Sequence, residues 1–184
     1  MKATDLRPGM GVKVDGNLYV ITQYEHRTPG NLRAFIQVKL RDVVTGKHIE
    51  RRLASGDDLE GVNLDRRTME YLFSDNSGAT FMDLESYDQI VIPADVLGDA
   101  LLYLAPNASI TVLMYNENPV TVELPASVEL TVTETAPGIK GATATNQLKD
   151  AVCETGLKTR VPPFIVEGEK IKISTADGAY QSRA

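Results

Sequence analysis

Short stretches of apolar-polar alternation, interrupted every few residues by glycine, proline or asparagine, run through almost the whole chain. This pattern constrains the fold more than any other feature, because a period of two sends successive side chains to opposite faces of an extended strand. It is cleanest in "LRAFIQVKLRDV", where Ala34, Ile36, Val38 and Leu40 fall on one face and Arg33, Phe35, Gln37, Lys39 and Arg41 on the other. Similar runs follow in "LYVITQYEHR", "HIERRL", "MEYLFSD", "ATFMDL", "SITVLMYN", "VTVELP", "SVELTVTET", "LKTRVPPFIV" and "EKIKIST". The spacers are turn chemistry: Asp15-Gly16-Asn17 and Thr45-Gly46 suit tight hairpins, and Asn76-Ser77-Gly78, Asn116-Glu117-Asn118-Pro119 and "APGIKG" act likewise further on.

One helix is expected, in "PADVLGDALLYL", with Pro93 at its first position and Val96, Leu97, Ala100, Leu101 and Leu104 at helical spacing. The class predicted is therefore all-β. Barrels close the edges that so many short strands would otherwise leave open, and 184 residues suit three small β-barrels, 1–63, 64–126 and 127–184, better than one large sandwich.

Charge is unevenly spread. The overall net charge is −6, yet residues 1–63 carry +2, residues 64–126 carry −8 and residues 127–184 are neutral. Nucleic acid would be repelled by the acidic middle and admitted at the ends. No apolar run approaches the roughly 18 residues of a membrane span. The start "MKATDLRPGMG" lacks the apolar core of a secretory signal, and the single Cys153 in "DAVCETG" has no partner for a disulfide, so a cytoplasmic protein is expected.

Chemistry-bearing motifs are few. Glycine-rich nucleotide loops, the P-loop, His-Glu-x-x-His and Cys-x-x-Cys do not occur. His26 and His48 fall on different predicted strands. Asp57-Asp58, and the group Asp83, Glu85 and Asp88, read as turns without a positioned base, so an enzyme, a cofactor and a metal site are not expected. Cys153 reads as a small buried hydrophobe.

What stands out is "EHRTPGNLRAFIQVKL", two strands joined at a polar, cationic tip. Thr28-Pro29-Gly30-Asn31 matches a type II turn, with proline second and glycine third. Asn31 and Leu32 then open the return strand, with Arg33 on its polar face. Arg27, Arg33, Lys39 and Arg41 are suited to phosphates, and Asn31 to donating and accepting hydrogen bonds.

Several stretches resemble bacterial translation elongation factor P, relative of the hypusine-bearing eukaryotic initiation factor. They are "LRPGM", "FIQVKLRDVVTGKHIERRL", "FMDLESYDQIVI", and "TAPGIKG" followed by "LKDAVCETGLKTRVPPFIVEGEKIKISTADGAYQSR". The spacing of Lys149, Ala151, Gly156, Val161, Pro162, Ile165 and Gly168 follows that family, with a polar Thr159 where an aliphatic residue is usual. The resemblance implies an L-shaped, monomeric protein with a KOW/SH3-like barrel followed by two OB-fold domains, roughly imitating tRNA. It implies binding to both ribosomal subunits between the peptidyl and exit sites, contact with peptidyl-tRNA, and help to slow peptide bonds such as those between consecutive prolines. The tip, Pro29, Gly30, Asn31, Leu32 and Arg33, would face the peptidyl-transferase centre. Arg27, Lys39, Arg41, Tyr180 and Arg183 would be further RNA contacts, and the acidic middle would face a basic ribosomal protein. A lysine or arginine, often modified, is usual in the family where this chain has Asn31. Either the factor works unmodified on a stiff Pro29-Gly30 turn, or Arg33 is the functional cation in a shifted loop. The rival readings are a general OB-fold single-strand nucleic-acid binder and, lowest, a hydrolase using Asp83, Glu85 and Asp88.

Overall fold

The computed structural model describes residues 1–138 and 147–184. The turn expected at "APGIKG" falls largely outside the described residues. Among the described residues fifteen strands follow one another. The first five are β1 (Gly11–Val14), β2 (Asn17–Arg27), β3 (Phe35–Asp42), β4 (His48–Ala54) and β5 (Glu60–Val62). Next come β6 (Asp65–Asp75), β7 (Gly78–Asp83), β8 (Gln89–Ile92), β9 (Ser109–Tyr115) and β10 (Asn118–Glu123). The last five are β11 (Ser127–Thr135), β12 (Lys149–Cys153), β13 (Lys158–Val161), β14 (Lys170–Ser174) and β15 (Tyr180–Arg183). They form three five-stranded sheets, ordered β4-β3-β2-β1-β5, β10-β9-β6-β7-β8 and β13-β12-β11-β14-β15. The all-β class read from the alternation is what the chain adopts.

By internal packing the chain divides into two compact units, residues 1–67 with 111–123 and residues 68–110 with 124–184. In the first unit the inward faces of the first sheet bury Val12, Val14, Tyr19, Ile21, Ile36, Val38, Leu40 and Leu53, with Ala3 and Leu6 beneath them. A second cluster in that unit joins Val20 to Leu113 and Val120. In the other unit Leu130, Val132, Ala151, Cys153, Leu157, Val161, Ile165, Ile171 and Ile173 make the core of the third sheet.

The turns show why the strands stop where they do. Val14 pairs with Asn17, and the two residues between, Asp15 and Gly16, have φ of +50° and +80°. That is the type I′ geometry that matches strand twist. At the β3–β4 turn the Asp42 carboxylate accepts the N–H groups of Val44 and Thr45 at 2.8 and 3.0 Å. The hydrogen bonds from Thr45 and then Val44 hold its pKa below the usual carboxylate value. Thr159 is buried, and its hydroxyl donates to the Gly178 carbonyl at 2.7 Å. Its polarity is thereby satisfied.

The expected helix is shorter than its apolar spacing suggested. Only Ala94–Leu97 (α1) is α-helical, with Pro93 as its N-cap rather than its first residue. Gly98, at φ +53°, closes it through a hydrogen bond from its N–H to the Ala94 carbonyl, and a 3₁₀ turn over Ala100–Tyr103 follows. A glycine in left-handed conformation ends helices because it bears no Cβ to clash. The apolar residues still serve burial, since Leu97, Ala100 and Leu104 are inside and Leu102 and Tyr103 pack on the third core. Among the described residues no helix is long and apolar enough to cross a membrane.

Gly78 opens β7 at φ +138°, and a Cβ placed there would stand 2.3 Å from the Ile92 carbonyl oxygen. Gly78→Ala therefore combines backbone strain with a clash against main chain, and it is expected to cost at least about 2 kcal/mol. A fall in the urea midpoint at unchanged slope checks this.

Candidate nucleic-acid interface on the hairpin

The hairpin of β2 and β3 is built from the inside outward. Its core-facing residues on β3, Ile36, Val38 and Leu40, are completely buried. Pairing runs from Gln23 opposite Lys39 to Arg27 opposite Phe35, with a shift in register between Ile21 and Gln23. At that bulge the Thr22 hydroxyl donates to the Lys39 carbonyl at 3.1 Å. Bulges increase local twist and re-aim the strand beyond them.

Beyond Arg27 and Phe35 the ladder ends, and residues 28–34 form the loop. Its turn lies one residue later than the sequence suggested. The Leu32 N–H donates to the Pro29 carbonyl at 2.9 Å, so Pro29 is the first corner and Gly30 and Asn31 are the central pair. Gly30 has φ +44°, while Asn31 is not among the residues of positive φ. Positive φ at the first central position alone is the sign pattern of type II′, not type II. Asn31 and Leu32 thus belong to the loop and not to the return strand, which begins at Phe35.

This shift changes what Arg33 can do. It lies off the strand, so alternation does not tie its direction to that of Phe35. It is exposed, and among the described residues it makes no hydrogen bond or ion pair. Leu32 beside it is 72% exposed. Pro29, Gly30 and Asn31 are exposed as well.

The other expected contacts fare differently. Arg27 is exposed but bridged to Glu25 at 2.7 Å, and Lys39 is half-buried in mid-sheet. Arg41 is a correction: it is only 6% exposed, and its guanidinium donates to the Val120 carbonyl. Alternation put it on the polar face correctly, but at the base of the hairpin that face is covered by the cluster of Val20, Leu113 and Val120. In the other unit Tyr180 is half-buried against the third core, and burial raises the pKa of its hydroxyl. Arg183 is bonded to Glu169 at 2.5 Å and lies 4.6 Å from the Phe164 ring centroid. Tyr180 is therefore not an open stacking platform.

Sequence reasoning passed over Arg52. Its guanidinium carbon lies 3.8 Å from the centre of the Phe35 ring, directly below the loop. The signal was the parity of β4, which puts His48, Glu50 and Arg52 on one face, but the stack depends on a register that only pairing supplies.

Of the carboxylates considered for acid-base work, Asp83 and Asp57 serve turns. Asp83 is buried and accepts the N–H groups of Glu85 and Ser86 at 2.8 and 3.3 Å, and Asp57 accepts that of Ala54 at 2.8 Å. Among the described residues no three histidines, cysteines or carboxylates cluster as a metal site would. Cys153 is buried, and burial, helped by the neighbouring Glu154 charge, pushes its thiol up to about 11.

Comparison with known proteins agrees with this build. Residues 2–59 match the elongation factor P KOW-like domain, residues 64–122 the elongation factor P OB domain and residues 128–183 the elongation factor P C-terminal domain. An elongation factor P from Acidobacterium capsulatum is 51% identical over 182 residues, covering 99% of this chain and 98% of the relative. One from Frankia casuarinae is 44% identical over 179 residues, covering 97% and 96%. A solved structure, eukaryotic translation initiation factor 5A from Methanococcus jannaschii, aligns with a TM-score of 0.43 and 19% identity over 67% of this chain and 89% of that one. An all-β chain whose KOW-like, OB and C-terminal segments all match elongation factor P models is a translation factor by class. It belongs to the elongation factor P family, and its role is that of a translation elongation factor.

Two substitutions separate the structural arginine from the exposed one. Arg41→Ala loses a buried charged hydrogen bond and is expected to destabilise the protein by about 1.5 to 3 kcal/mol. Arg33→Ala is expected to change stability by less than about 0.5 kcal/mol. Urea unfolding followed by circular dichroism distinguishes the two.

Proposed function

We propose that this factor binds the ribosome between the peptidyl and exit sites, contacts peptidyl-tRNA, and stimulates peptide bond formation at stalling sequences such as consecutive prolines. The observation that carries the reading is the tip. Arg33 stands beyond the last strand pair as an exposed cation with no hydrogen bond or ion pair among the described residues, beside an exposed Leu32 and a turn closed by the Leu32 N–H. A desolvated charge in an RNA-lined site forms hydrogen bonds about twice as strong as neutral ones.

The ribosome performs the chemistry. A proline nucleophile and a proline-ended nascent chain are both conformationally restricted, so holding the peptidyl-tRNA in a reactive pose recovers orientation entropy that such substrates fail to supply. The factor contributes geometry and charge and is not itself an enzyme. In this reading the chain acts as a cytoplasmic monomer of three domains, 1–63, 64–126 and 127–184. The first, at +2, lies against the acceptor end. The second, at −8, faces a basic ribosomal protein, and the third approaches the small subunit. Because the second central residue of the turn is Asn31, attachments directed to lysine or arginine have no acceptor there, and Arg33 supplies the cation.

The test is the rate of peptide bond formation on purified ribosomes translating three consecutive prolines, with unmodified factor, with its Arg33→Ala variant, or with neither. Stimulation by the factor and a loss of about tenfold or more in maximal rate for the variant is the expected result. Ribosomes unaffected by the unmodified factor, with no binding detected, would remove the proposal.

A further inference from the structure

Within the first sheet, the charges on the outward face of the hairpin are unequally neutralised. That face carries Gln23, Glu25 and Arg27 from β2, Phe35, Gln37 and Lys39 from β3, and His48, Glu50 and Arg52 from β4, as the pairing register requires. It holds two carboxylates, and both are engaged by residues other than Arg52. Glu25 is bridged to Arg27 at 2.7 Å. Glu50, two residues from Arg52 on the same strand and face, accepts a hydrogen bond from the Gln37 amide at 3.2 Å. Arg51, pointing the other way, has Asp15 at 3.3 Å.

Arg52 makes a different contact. It lies opposite Gln37 and diagonal to Phe35, and its guanidinium sits over the Phe35 ring at 3.8 Å. Among the described residues it forms no hydrogen bond or ion pair. Stacking on a ring holds the guanidinium plane and uses none of its five N–H groups, which leaves its edge free as a fork for an anion. The aromatic support also lowers the rotamer entropy still to be lost on binding.

We propose that Arg52, held flat by Phe35, is a second RNA contact of this hairpin, a positioning residue that grips a backbone phosphate of peptidyl-tRNA while Arg33 acts at the tip. This rests on the reading of the chain as a factor that binds peptidyl-tRNA. The ligand class follows from the donor: a planar fork with no hydrogen bond or ion pair of its own among the described residues matches a phosphodiester bidentately. Arg52 lies two residues along β4 from Ala54, the partner of Phe35 in the last paired row, which is about 7 Å at strand rise. It therefore reaches a part of the RNA further from the reacting end than Arg33 does, and a grip there fixes the approach of the tip.

The two roles separate kinetically. In the triple-proline assay, titration of the factor gives a half-saturating concentration and a maximal rate. Arg52→Gln is expected to raise the half-saturating concentration about tenfold, leave the maximal rate within about twofold of the unsubstituted factor, and reduce the salt dependence of binding by about one phosphate contact. Arg52→Lys keeps the charge but loses the planar fork, and is expected to restore the salt slope and only part of the affinity. Phe35→Leu frees the guanidinium and is expected to fall between the two. Half-saturation and salt slope unchanged in Arg52→Gln would overturn the proposal. So would a loss in Arg52→Gln and Arg52→Lys alike that tracks a lowered melting temperature at constant salt slope, since that is a packing effect. Failure of the unsubstituted factor to stimulate at all would instead sink the reading on which it rests.

Discussion

Strand β3 is pinned on both edges, to β2 and to β4, while Ile36, Val38 and Leu40 are buried completely beneath it. Each of those side chains contributes about 1.5 to 3 kcal/mol through burial. A slip of one residue would turn all three to water and bring Gln37 and Lys39 inside, so the register is strongly fixed. Everything proposed for the tip depends on this. The register decides where the ladder stops, and the stop at Arg27 and Phe35 hands residues 28–34 to the loop. The same register sets Arg52 diagonal to Phe35. A hairpin with a loosely specified register would place its arginines differently in different molecules and could not act as a positioning device.

The strands and the tight turns were legible because their causes are local. Asp15-Gly16 announces two positive φ values in succession, and alternation names a face. Features that depend on distant partners were not legible. Arg41 was assigned to the correct face, but nothing near it in sequence says that Val120, some eighty positions away, covers that face. The Pro-Gly pair fits either register of the tip turn, and the one the chain adopts lies a residue later, inside a loop that also holds Arg33. The helix is shorter than its apolar spacing implies because Gly98 ends it. In each case a real local preference was present, and tertiary packing or a left-handed glycine decided between its outcomes.

The arginines of the first unit show how one residue type divides its labour. Arg41 is a buried donor to a carbonyl, Arg27 and Arg51 are exposed partners of carboxylates, Arg52 rests on a ring and Arg33 has no hydrogen bond or ion pair among the described residues. A net charge of +2 over residues 1–63 says little about where positive potential is usable. What matters is which cations have no ion pair among the described residues, and in this sheet Arg33 and Arg52 are such cations near the end of the β2–β3 hairpin.

Cys153, the one cysteine of the chain, is buried in the third core with its thiol pushed up to about 11, so near neutral pH it holds almost no thiolate to react. In the folded protein this thiol therefore reacts only slowly with thiol reagents. A cysteine introduced at the exposed Asn31 would be the one that takes a fluorophore or a crosslinker. The molecule can in this way carry a single optical reporter at the tip of the β2–β3 hairpin, with the native thiol left in place.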